Sequence, residues 1–78
     1  MIRSTPGAGA AAALIRTVRE GTDGNRNNVL FWAARRAVDE NLGEQVLDLI
    51  EDAAIATGLP PSEVTRTINS ARTQAGAR

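Results

Sequence analysis

Arginine and asparagine are the residues in this 78-residue chain whose types and spacing suggest chemistry. All nine basic residues are Arg, and the planar guanidinium suits bidentate contacts with phosphate. The run Asn25-Arg26-Asn27-Asn28 stands at the predicted start of a helix, where backbone N–H groups and the positive end of the helix dipole favour an anion. An Asn-rich helix cap explains the same run without a ligand, and the residues alone favour that interpretation.

The charges are strongly segregated along the chain although nine Arg and nine acidic residues sum to zero. Residues 1–38 carry a net +4, residues 39–65 carry −7, and residues 66–78 carry +3. A basic surface shared by the first, second and fourth helices would suit a polyanion. Pairing of these Arg residues with the acidic third helix, or self-association through opposite patches, is the alternative. Charge alone favours neither.

The chain contains no His and no Cys, which excludes a His-bearing triad, a thiol nucleophile and a zinc cluster. Asp48, Glu51 and Asp52 follow i, i+3, i+4 spacing, but they lack the further ligands that a metal needs and are typical of a solvated helix face. Residues 7–12 match the G-x-G-x-x-A dinucleotide pattern without the strand that must precede it. No catalytic residue, metal or cofactor is therefore expected, and the chain is not expected to be an enzyme.

Apolar residues with helical spacing predict an all-α, compact bundle of four short helices, at about residues 10–20, 27–41, 44–57 and 61–75. Residues 1–9 are predicted to be a flexible tail and residues 10–76 a single domain. Asn25 or Asn27 is expected to cap the second helix. Gly58 is expected to end the third, and either Pro60 or Ser62 to cap the fourth.

Phe31 and Trp32 are the two aromatic residues of the chain. They could form a stacking platform for a base, but in so small a core we expect them to pack inside. Apolar runs such as residues 10–15 are too short to cross a membrane, and Arg16 interrupts any signal-like stretch. We expect a cytoplasmic protein without a membrane partner.

Two segments resemble a known family. Gly24-Asn-Arg-Asn-Asn-Val-Leu-Phe-Trp-Ala-Ala-Arg-Arg-Ala37 is similar to the pattern G-x-R-N followed by L-x-W-A-A-x-R-A. Residues 53–59 and 63–71 are similar to A-A-x-x-x-G-L followed by E-x-x-x-T-I-x-S-A. Together, over about residues 10–76, they resemble the C-terminal helical region of bifunctional DNA primase/polymerases from actinobacterial phages, prophages and plasmids.

The resemblance implies a helical accessory module of a DNA replication protein that helps to engage template or nucleotide. The family's catalytic domain, with its metal-binding acids, has no counterpart in this chain, so primase activity is not transferred. The positions that match the family's motifs are Gly24, Arg26, Asn27, Trp32, Arg35 or Arg36, Thr67, Ile68 and Ser70. Among them Arg26, Asn27, Thr67 and Ser70 are expected to face a ligand, and Trp32 and Ile68 to pack.

We therefore expect a non-catalytic phage or mobile-element module whose partner is nucleic acid, as single-stranded DNA or primer–template, or a replication protein. The alternative is a small phage or prophage protein-interaction module that self-associates or docks on a host or phage protein through its Ala-rich faces. For DNA binding, the candidate residues are Asn25, Arg26, Asn27, Arg35, Arg36, Arg66, Thr67, Ser70 and Arg72.

Overall fold

The computed structural model of the chain describes residues 6–21 and 24–76. Within these ranges it contains four α-helices and no strand. The helices are α1 (Pro6–Arg19), α2 (Arg26–Asp39), α3 (Glu44–Ala56) and α4 (Pro61–Gly76). The prediction of an all-α compact bundle with four short helices is confirmed.

The helix α1 begins at Pro6, four residues before its predicted start. Proline suits the first turn of a helix because its φ is already helical and its missing N–H would have no partner there. Residues 6–9, which were assigned to the flexible tail, therefore belong to α1. The rest of that predicted tail, residues 1–5, lies outside the described residues.

The helix α2 ends at Asp39, two residues before the predicted end, because Asn41 adopts a left-handed backbone with φ of 57°. The N–H of Leu42 then donates to the carbonyl of Ala37 at 3.0 Å, which is the closing hydrogen bond of a Schellman motif. Asn takes this conformation at lower cost than most residues. Gly43 is the N-cap of α3.

The starts of α2 and α4 show which of the candidate residues caps each helix. Asn25 is the N-cap of α2, although its side chain makes no capping hydrogen bond. The fourth helix begins at Pro61, and the N–H of Val64 donates to the carbonyl of Pro60, so Pro60 and not Ser62 is the cap. Gly58, as predicted, follows the end of α3 with a positive φ of 107°.

The core consists of aliphatic side chains from all four helices. Its largest fully buried members are Leu30, Ile50 and Val64. The alanines of the three C-terminal helices also lie in this core: Ala33, Ala34, Ala37, Ala53, Ala54 and Ala71. The alanines of these three helices are therefore covered by the bundle itself, whereas Ala12 and Ala13 of α1 are exposed.

The four helices form two layers, one of α1 and α3 and one of α2 and α4. The helices α2 and α3 also contact each other, whereas α1 and α4 do not touch within the described residues. Asn27 near the start of α2 lies against Glu63 and Thr67 near the start of α4, so these two helices run in parallel. The helix α3 runs antiparallel to α4, because Glu44 at its start contacts Arg72.

Candidate nucleic-acid interface

Asn27 and Thr67, both predicted to contact nucleic acid, form a hydrogen-bonded cluster between α2 and α4. The Nδ2 of Asn27 donates to Glu63 Oε2 and to Thr67 Oγ1, each at 2.8 Å. Thr67 is buried, and Asn27 and Glu63 are partly buried. The cluster uses both amide hydrogens of Asn27 to hold the two helices side by side.

Arg26 lies at the end of the bundle where α1 and α3 finish and α2 and α4 begin. Its side chain passes the backbone of Gly21, and a Cβ added at Gly58 would come within 3.2 Å of the Arg26 Nη1. A cation is favoured beside the C-terminal end of a helix, which is the end of α3 that Gly58 marks. The Arg26 side chain therefore lies between the ends of α1 and α3, where it contributes to the packing of the bundle.

A groove of about 340 Å³ opens beside Arg26, between the starts of α2 and α4. It is lined by Gly24, Arg26, Asn27, Asn28, Leu59 and Glu63. Asn25, another predicted contact, is exposed at the same end. The Glu63 carboxylate at this groove opposes an anion, which weakens the prediction of an anion site at the Asn25–Asn28 run.

Arg35 and Arg36 form ion pairs along α2 with the acids one turn later. The Arg35 Nε lies 3.3 Å from Asp39 Oδ2 without hydrogen-bond geometry, whereas the Arg36 Nε donates to Glu40 Oε2 at 2.8 Å. The Arg36 guanidinium also lies over the indole of Trp32, 5.5 Å from the ring centre. These exposed ion pairs contribute little free energy, because water and salt screen them.

Trp32 is exposed over 47% of its surface, so the expectation that it packs in the core is wrong. Helical periodicity explains the position, because Trp32 lies about 200° around the helix from Leu30, which is fully buried. Phe31, by contrast, is partly buried against the core, and Ile68 is buried as predicted.

Arg72 makes a bidentate ion pair that ties α4 to the start of α3. Its Nη1 and Nη2 donate to the two carboxylate oxygens of Glu44 at 2.6 and 2.8 Å. These hydrogen bonds lower the pKa of Glu44 and raise the pKa of Arg72. Arg72 thus pairs with the acidic third helix, which agrees with the alternative interpretation of the charge pattern.

Arg66 and Ser70 lie on the side of α4 that faces away from the core. Both are exposed, and Arg66 makes no ion pair with another described residue. With three further polar side chains they line a shallow depression of about 320 Å³. Those three residues are Asn69, Thr73 and Gln74. They were not among the predicted contacts, although their spacing from Arg66 is typical of an exposed helical stripe.

The parallel α2 and α4 present their exposed sides in the same direction, because both bury the opposite side against the α1–α3 layer. We call this surface the α2–α4 face. It carries Asn28, Trp32, Arg35, Asp39, Arg66, Ser70 and Thr73. Three predicted contacts, Arg35, Arg66 and Ser70, share this surface, with Arg36 at its edge.

The other predicted contacts do not join this surface. Asn25 and Arg26 lie at one end of the bundle, Asn27 and Thr67 lie between the helices, and Arg72 faces α3. The first helix belongs to the other layer, so Arg16 and Arg19 do not extend the basic surface, contrary to the grouping of the first, second and fourth helices.

The acidic residues of α3 do not form a metal site. Asp48 and Asp52 are exposed and Glu51 is partly buried. Among the residues that the structure describes, no three acidic side chains are grouped closely enough to hold a metal ion. None of the described helices has the length and apolar character needed to cross a membrane.

The chain matches no protein-family model, no curated protein and no solved structure. Its geometry and its sequence are therefore the basis for any functional conclusion.

Proposed function

We propose that this chain is a non-catalytic helical module that binds DNA, as a single strand or a primer–template, through the α2–α4 face. The observation that carries the proposal is the position of Arg66, an exposed cation without an ion-pair partner among the described residues. The resemblance to the helical region of phage and plasmid primase/polymerases supports the same function within a replication protein.

The distribution of charge between the layers supports DNA as the partner. Glu63 is the acidic residue of α4, and its carboxylate accepts a hydrogen bond from Asn27 at the boundary with α2. The exposed side of α4 consequently holds Arg66 with hydroxyl and amide side chains, which are suitable donors to phosphate oxygens. The acidic stretch of the chain lies mainly on α3, in the other layer.

Arg35 and Arg36 are suited to a second role in this binding. Each is paired with an acid on its own helix, so a phosphate must compete with a carboxylate at these positions. Exposed i, i+4 pairs contribute about 0.3–0.5 kcal/mol, which is a small barrier to such an exchange. We therefore expect Arg66 to contribute more to affinity than either of them.

A titration of fluorescently labelled single-stranded DNA at low and moderate salt tests the proposal. Arg66→Gln should weaken binding severalfold and make the negative slope of log K against log salt shallower by about 0.7, because one phosphate contact is lost. Arg16→Gln is the matched control, since Arg16 is an exposed residue of α1 that also makes no ion pair with a described residue. Absence of binding at low salt, or equal effects of the two substitutions, would contradict the proposal.

The alternative function, docking on another protein or self-association, draws on exposed apolar side chains of α3. Leu49 is exposed over 51% of its surface and Ile55 over 36%. Light scattering distinguishes the two functions. A stable dimer that Leu49→Ser disrupts, together with DNA binding that is absent at low salt, would favour this alternative.

A further inference from the structure

We infer that the exposed indole of Trp32 is a stacking platform for an unpaired base, so that the α2–α4 face takes single-stranded nucleic acid in preference to a duplex. The inference rests on the proposed DNA-binding function and names the form of nucleic acid that the same surface recognises. It assigns a contact to a residue that the sequence had placed in the core.

The exposure of Trp32 is the first observation behind this inference. The chain buries aliphatic side chains in its core and leaves its largest side chain 47% exposed. Covering an exposed tryptophan ring with a flat partner is favourable, because it removes the ring from water. A nucleobase is such a partner. Asn28 and Arg36, one turn away on α2, are polar and charged, which suits a ligand that is itself both aromatic and charged.

The cations around Trp32 fit the phosphates of the same strand. The Arg36 guanidinium lies 5.5 Å from the ring centre, and Arg35 follows on the same exposed side of α2. Proteins that hold single strands combine aromatic rings on which bases stack with Arg residues that contact the ring and the phosphates. Because Arg36 lies over one side of the indole, the base is expected on the other side.

The register of the two helices extends this site across α4. Asn27 lies between Glu63 and Thr67, so in parallel helices Trp32 comes level with Ser70. Arg66 then lies about 6 Å further toward the starts of the helices, since each residue advances about 1.5 Å. Adjacent helix axes are about 8–10 Å apart. A short strand that stacks a base on Trp32 therefore passes Ser70 and Arg66 on its way across the face.

A duplex has no unpaired base available to stack on Trp32. Its bases are stacked on one another, and exposing one to Trp32 requires it to be unstacked and unpaired at a cost in free energy. An unpaired base is already available for stacking. The preference for single strands follows from this difference.

The chain has one tryptophan and no tyrosine, so its intrinsic fluorescence reports on Trp32 directly. In the wild-type chain, a single-stranded oligothymidylate should quench the Trp32 emission. The quenching curve should coincide with the binding curve measured for the protein with labelled single-stranded DNA. A blunt-ended duplex of equal length should bind more weakly and leave the emission nearly unchanged.

Substitutions provide the second readout. Trp32→Ala should weaken binding of the single strand by about fivefold or more, whereas Trp32→Phe, which keeps an aromatic ring, should retain most of the affinity. Leu49→Ala is the matched control, because Leu49 is exposed to a similar extent on α3. It should leave the affinity unchanged.

Three results would overturn the inference. Arg66-dependent binding without quenching, and with equal affinities for Trp32→Ala and wild type, would remove the stacking contact and leave the proposed function standing. Absence of binding to both probes at low salt would defeat the proposed function and the inference with it. An emission shift that depends on protein concentration without DNA would show that a second copy of the chain covers Trp32.

Discussion

At the scale of single residues, the side chain of Asn27 joins α2 to α4. Its amide nitrogen donates to acceptors on Glu63 and Thr67, both at 2.8 Å. A hydroxyl and a carboxylate in a partly buried position cost free energy when their donor is removed. The same two bonds fix the register on which the α2–α4 face depends.

Substitution of Asn27 should therefore destabilise the fold. Asn27→Ala leaves Thr67 and Glu63 without this donor, and the free energy of unfolding should fall by about 1–3 kcal/mol. Urea denaturation followed by circular dichroism measures the change. Asn28→Ala, at the exposed neighbouring position, should change stability much less. Equal losses for both variants would contradict the structural role of Asn27.

The Glu44–Arg72 pair makes a prediction about pH. The Arg72 hydrogen bonds hold the pKa of Glu44 below its ordinary value of 4.5. The pair therefore favours the folded state above that value, and its contribution is lost as the pH falls below 4.5 through the lowered pKa.

An NMR titration of the Glu44 carboxyl carbon tests this prediction. The wild-type midpoint should lie below 4.5, and Arg72→Gln should return it to about the ordinary value. Arg66→Gln is the control, because Arg66 does not pair with Glu44 among the described contacts, and it should leave the midpoint in place. An identical midpoint in wild type and Arg72→Gln would show that the pair is not formed in solution.

At the scale of the elements, the turn between α3 and α4 determines where Arg26 can lie. Gly58 has a φ of 107°, and a Cβ there would meet the Arg26 guanidinium at 3.2 Å. The turn therefore needs glycine for its backbone conformation, and the absence of a side chain leaves room for Arg26.

Gly58→Ala should lower the free energy of unfolding by about 1–3 kcal/mol, because an L-residue is strained at this φ. Gly9→Ala is the matched control, since Gly9 lies within α1 with no atom near its added Cβ. That change should raise stability by up to about 1 kcal/mol, since Ala is the better helix former. Thermal denaturation of both variants measures the two effects, and a neutral Gly58→Ala would contradict the described turn.

The elements were largely predictable from the sequence because their signals are local. The buried stripe of α3 and the stop at Gly58 follow from spacing and backbone chemistry alone. The end of α2 was predicted at residue 41 but lies at Asp39, because the left-handed Asn41 ends the helix earlier than the spacing of apolar residues indicates. The start of α1 was missed because Pro6 was grouped with the glycines that follow it.

The site was less predictable because it depends on which helices become neighbours. Nothing in the sequence states that Asn27 reaches Thr67, or that Arg72 faces Glu44 while Arg66 does not. Trp32 was assigned to the core on residue type, whereas its angle around α2 places it outside. Tertiary packing therefore decides which Arg residues are held in pairs and which remain open to a ligand.

At the scale of the whole molecule, the acidic third helix and the α2–α4 face lie in different layers. The α2–α4 face carries the open cation Arg66 and the exposed ring of Trp32, while α3 carries the acidic stretch in the other layer. The zero net charge therefore does not exclude the polyanionic partner that we propose for this face.

Amide chemical-shift mapping of the wild-type chain with a single-stranded oligonucleotide tests this account most directly. We predict that the perturbed amides belong to α2 and α4 and centre on Trp32, Arg66 and Ser70, and that added salt reverses the shifts. Shifts that centre on α3 around Leu49, or no shifts at low salt, would contradict the assignment of DNA binding to the α2–α4 face.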